Sequence, residues 1–202
     1  MSFSKVLGVM HVKTLQRPFG SAAAVQNSPI KVTQTAVQIA GRVVATQLLL
    51  TRWGVEAALF SLPMAKDKSK AELDEEKQRI IAGNETLNLA IDRAKGKNLF
   101  TDRELGLLEK TVGSWDPQQD IGRLQKRWES LAVLLWSLRI VKNLTPCTVN
   151  ADEKTLFECT SIVPAFPDTI DSFIEYFSTG HGSEDTHIIS DKQLAEQINI
   201  AE

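Results

Sequence analysis

The sequence predicts an all-α fold, and three observations carry that expectation. Apolar residues recur at three- and four-residue steps over most of the chain, capping signatures stand where those runs begin, and no stretch alternates with period two as a half-buried strand does. The pattern is densest between Arg127 and Leu138, where a charged collar meets six unbroken apolar residues, Leu131 to Trp136. Leu124, Trp128, Leu131, Leu135 and Leu138 share one helical face, while Ala132, Val133, Leu134 and Trp136 fill the others, so this helix should be surrounded rather than laid on a surface. The expectation is a single compact multi-helix domain over 28–202, packed around a central buried helix of about 117–142, behind a short N-terminal tail, 1–27.

Taken in order, residues 6–12 have some strand character, and Pro18, Gly20 and a small-residue run break whatever they form. Ser28-Pro29 offers a capping residue and a first-turn proline for a long helix. Its apolar set, Val32, Ala36, Ile39, Ala40, Val43 and Val44, continues towards Phe60, with Gly54 an expected interruption and Pro63 its end. The charged stretch 67–81, with Glu75 and Arg79 at i,i+4, reads as a solvated helix stopped by Gly83. A short helix over 85–95 is then closed by Gly96.

Thr101 and Glu104 form a capping box, with Phe100 and Leu105 as the matching hydrophobic staple, so a helix should start at Asp102 and stop before Gly113. Asp116-Pro117 opens the central helix, Asn143 can take the left-handed position at its end, and Pro146 blocks continuation. Asn150 with Glu153 caps a short helix. Asp168 begins an amphipathic one carrying Ile170, Phe173, Ile174 and Phe177 and closed by Gly180, and Ser190 with Gln193 repeats the box near the end.

Residues 127–138, with Thr101-Asp102-Arg103-Glu104 before them and a helix over 32–50 further upstream, resemble the largely bacterial family called domain of unknown function 4272. The resemblance covers roughly residues 31–146 and is weak after Cys147. Members usually have Ala-Leu-Gly where this chain has Ser137-Leu138-Arg139, and usually continue through a further C-terminal helix. That family has no established activity, so the resemblance implies a helical fold and transfers no catalytic residue.

At 202 residues and 43% hydrophobic, the chain can bury about 70% of its extended surface in one core. Cys147 and Cys159 make no disulfide framework, which points to reduced thiols and a cytoplasmic setting, and the glycosylation sequons at Asn84 and Asn143 read as chance matches. Net charge is only −2 but unevenly placed: residues 1–55 hold six Lys/Arg and no acid, whereas 147–202 holds eleven acids against Lys154 and Lys192. The acid-free start makes a mitochondrial address the alternative localisation, although Val6, Leu7, Val9, Met10 and Val12 form no single apolar face. Those cations are too sparse for a nucleic-acid footprint, so no nucleic-acid partner is expected. The one apolar stretch of membrane-like length, 43–62, contains Gln47, Arg52 and Glu56, and a central Arg costs about 2.5–3.5 kcal/mol on insertion scales. It reads as a core helix flanked by an i,i+4 ion pair, with no membrane span.

Chemistry-bearing groups are few. His181, Glu184, Asp185 and His187 are the one local cluster of metal-capable side chains, but their spacing fits no zinc or calcium pattern, so no metal and no cofactor is expected. Cys159 lies among acids, which opposes thiolate formation, and no nucleophile elbow or phosphate loop occurs, so no catalytic residue is assigned. Arg127 and Glu129 either contact a ligand at the mouth of a groove or pair with charges on neighbouring helices. Trp128 and Trp136, about two turns apart, read as core. The functional expectation is a non-enzymatic module that binds a protein partner or itself, with the acidic residues of 147–202 as contact face. The alternative is a small-ligand binder or enzyme with a pocket dispersed between helices, using Arg127, Glu129 and His187.

Overall fold

The computed structural model describes residues 34–65, 67–142 and 167–179, and every regular element among them is helical. The first helix, α1, spans Ala36–Ser61, about 39 Å at 1.5 Å per residue. Its capping residue is Thr35: the Thr35 hydroxyl accepts from the Gln38 amide at 3.3 Å, and the Gln38 side chain accepts from the Thr35 amide at 2.9 Å. The helix therefore begins at Ala36 and not, as expected, at Ser28-Pro29, because Thr35 is extended and caps it; Ser28 and Pro29 themselves lie outside the described residues. Gly54 does not interrupt the helix, and Pro63 ends it within a 3₁₀ turn, Leu62–Met64.

Residues 43–50 of α1 are all buried, whichever side of the helix they occupy. This is the surrounded helix of the fold, on which α2 (Lys70–Gly96), α5 (Arg127–Ser137) and α6 (Pro167–Ser178) all pack, with α3 (Asp102–Leu108) beside them. The central place expected of 117–142 therefore belongs to α1. The Leu131–Trp136 run is indeed buried through Leu131, Ala132, Leu135 and Trp136, but Val133 is 44% exposed, so α5 keeps a solvent face that the middle of α1 lacks.

Helix α2 starts at a Ser69/Glu72 capping box and runs through Gly83 without a break, so the two helices expected over 67–95 are one. A single exposed glycine costs a helix about 1 kcal/mol relative to alanine. The packed stripe that begins immediately after it, Asn84, Leu87, Ala90, Ile91 and Ala94, outweighs that cost. The half before Gly83 contains no buried residue, as its charge pattern predicts. The helix does end at Gly96, as expected, but Gly96 is not the residue that turns left-handed. Asn98 takes the left-handed conformation (φ 55°), its amide donating to the Lys95 carbonyl at 2.9 Å while the Leu99 amide donates to the Ala94 carbonyl at 3.2 Å. The short turn between α1 and α2 makes them antiparallel, which brings Arg42 at the start of α1 to the Leu99 carbonyl, 2.8 Å away.

The stretch after Pro117 is helical but not one uniform α-helix. It opens with a π-turn, Pro117–Ile121, passes through α4 (Gly122–Leu124), and loosens at Gln125 and Lys126 before α5. The Ile121 amide reaches back five residues to Asp116, whereas the Trp128 amide reaches only three, to Gln125 at 3.4 Å. Helix α5 ends sooner than expected because Arg139 adopts the left-handed conformation (φ 56°), with the Ile140 amide on the Leu135 carbonyl at 3.0 Å. Asn143 lies outside the described residues. Glycine would adopt this backbone without strain.

Helix α6 buries Ile170 completely and Phe173 to 9% exposure, with Ile174 and Phe177 partly buried against the same core, as its spacing predicts. The expectations for residues 6–12, Asn150, Gly180 and Ser190 fall outside the described residues. Leu135, with no exposure, gives the packing test: Leu135→Ala should destabilise by roughly 2–5 kcal/mol in denaturant melts, and a loss under about 1 kcal/mol would mean α5 is not core.

Candidate functional site

The ionisable side chains buried most deeply among the described residues are Arg52, Glu56 and Glu104. Arg52 and Glu56 are not a flanking pair, as their spacing suggested, but lie inside the core with side chains 2% and 1% exposed. One turn of α1 sets them side by side, so Arg52 Nε donates to Glu56 Oε1 at 2.9 Å. Both then reach out of their helix. Arg52 Nη2 donates to the Lys110 carbonyl at 2.9 Å, and the guanidinium sits 5.7 Å from the centre of the Trp115 ring. The Glu56 carboxylate accepts from the Gly113 amide at 2.9 and 3.0 Å and from the Trp115 amide at 3.4 Å. Gly113 has φ 83°, a conformation that suits glycine, so the chain can turn its amide onto the carboxylate. Trp115 is fixed in turn by its indole N–H on the Leu107 carbonyl at 3.0 Å.

A second charged contact closes the other end of α1. Arg42 meets Glu104 through two parallel bonds, at 2.8 and 3.0 Å, and Glu104 also accepts from the Thr101 amide at 2.9 Å as half of the predicted capping box. Burial pushes the Glu104 carboxyl up. The bonds from Arg42 and Thr101 outweigh that effect and hold it below the usual range. The same acid therefore caps α3 and ties it to α1.

Of the residues singled out in the sequence, Arg127 is half-buried and Glu129 exposed on α5. The structure does not bring them into an ion pair with a neighbouring helix among the described residues. The helix is positioned by tryptophan instead. Trp53 Nε1 on α1 donates to the Ile121 carbonyl at 2.8 Å, and the Trp53 and Trp128 rings meet edge to face at 6.5 Å. Trp136 is 6% exposed, so both tryptophans of α5 are core. Among the described residues no three metal-capable side chains come together. His181, Asp185 and His187 lie outside them. The Asn84 sequon sits in the middle of α2 with Asn84 2% exposed, out of reach of a glycan in the folded chain.

Sequence reasoning noticed Arg52 and Glu56 but not their role, and did not connect Arg42 to Glu104. The available signal was two opposite charges inside an otherwise apolar stretch, because a buried charge must find partners. What this arrangement does chemically is hold. Each buried charge is matched by an opposite charge and by backbone groups, so it braces the connection from α3 to the π-turn.

Two predictions follow from this geometry. Glu56→Ala leaves Arg52 buried without its counter-ion and should cost about 3–5 kcal/mol in urea melts. Replacing the pair together, Arg52→Met with Glu56→Leu, should recover only part of that, because the Gly113 amide stays unpaired at about 1–3 kcal/mol. Full recovery would show that the carboxylate does not brace the loop. For Glu104, whose folded-state carboxyl lies below its unfolded value, the stabilisation is present above the unfolded pKa and is lost as pH falls through the folded one. Glu104→Gln should therefore be less stable than wild type at neutral pH and show a shallower loss in acid. Parallel stability curves would contradict this.

The chain matches no family model, and no curated protein or solved structure is significantly similar to it. The functional reading accordingly rests on the geometry.

Proposed function

We propose that this chain is a non-enzymatic helical module, cytoplasmic, that works by presenting a surface to a protein partner or to a second copy of itself. The observation that carries this reading is the use to which the fold puts its buried charges. Arg52, Glu56 and Glu104 are each paired with an opposite charge and backbone groups within the chain, which stiffens the scaffold and engages them in structural contacts instead of proton transfer or ligand capture. A general acid or base needs a free edge towards its substrate. The resemblance to domain of unknown function 4272 agrees with a helical scaffold and brings no activity with it.

The favoured contact face is the acidic third of the sequence, 147–202, with nine net negative charges from eleven acids and two lysines. Such a field steers a basic partner, and the association should weaken as salt rises. Cross-linking the protein in native extract, with the partner's attachment sites mapped by mass spectrometry at low and high salt, tests this. Cross-links concentrated in 147–202 and lost at high salt are the expected result. Turnover in a substrate screen abolished by His187→Ala, or stoichiometric zinc in purified protein, would overturn the reading in favour of an enzyme.

A further inference from the structure

The helices around α1 are not all tied to it in the same way. The connection from α3 to the π-turn is bound by bonds from buried side chains, Arg52, Glu56 and Trp53, which solvent ions cannot screen. Helix α6 packs on α1 and α2 through Ile170 and Phe173, with Ile174 and Phe177 half-buried at the rim, and its charged ties lie at the surface. Arg93 and Lys97 of the α2 C-terminus both grip Asp171, Lys97 at 2.9 Å, with side-chain exposures of 53%, 34% and 34%. Arg93 first and then Lys97 hold the Asp171 carboxyl down to about 2, a grip made entirely at the surface. It is therefore open to screening.

We propose that α6 is a detachable helix whose docking is governed by the Arg93–Asp171–Lys97 latch, and that its release bares the face of α1 and α2 beneath it while the rest of the core stays folded. Arg93 and Lys97 remain in place on release, because cations at a helix C-terminus are also favoured by the helix dipole. Salt sets the docked fraction through this exposed contact. This inference does not depend on which partner the protein binds.

Native-state hydrogen exchange on the full chain tests it, at about 0.01 M and about 1 M salt, where the screening length falls from roughly 30 to 3 Å. Amides of residues 172–178 should exchange through a local opening, about two- to tenfold faster at high salt or in Asp171→Asn, while amides of residues 43–50 stay unchanged. Lys97→Gln, on the other side of the latch, should give the same pattern. The proposal fails if α6 amides exchange in step with those of α1, if neither salt nor the latch variants alter them, or if Asp171→Asn loosens α1 together with α6.

Discussion

The buried pair of Arg52 and Glu56 is the constraint on which the rest of the structure depends. Two charges taken out of water cost several kcal/mol each, and their mutual attraction offsets this only where further hydrogen bonds complete both groups. Here the completing groups are backbone atoms of Lys110, Gly113 and Trp115. The long helix can therefore be buried only when the connection after α3 lies against it. That connection then delivers Trp115 to the guanidinium and Pro117 to the start of the helical run that leads into α5. Arg42 with Glu104 repeats the device nearer the start of α1, so α3 is held at both ends by charges from one helix.

Elements whose signals are local were legible in the sequence. The Thr101/Glu104 box, the spacing of Ile170, Phe173, Ile174 and Phe177, and the burial of Leu131 and Leu135 all follow from residues three or four apart. The errors arose where distant packing overrides a local preference. Gly83 would stop an isolated helix, but the buried stripe from Asn84 to Ala94 carries α2 through it. Asn98 and Arg139 take the left-handed conformation after α2 and α5, which no local signal marked. The centre of the fold moved from 117–142 to α1 because a charged pair made the apolar stretch around it look flanked rather than enclosed. Its acceptor role towards Gly113 spans 57 residues, and no local pattern encodes such a contact.

The distribution of charge links fold to proposed role. Cations and acids inside the core are matched and rigidify α1, α3 and the π-turn. Those outside, such as Arg93, Lys97 and Asp171, form contacts that solvent can loosen. A scaffold with a stiff interior and an adjustable surface agrees with the recognition role proposed above.

The most direct test of the central role of the Arg52–Glu56 pair is the exchange rate of two backbone amides in the unmodified protein. If Glu56 braces the connection, the Gly113 and Trp115 amides exchange only through openings as costly as those that expose the middle of α1, despite lying outside regular secondary structure. Exchange at the rate of an ordinary surface loop, with α1 still protected, would contradict the account.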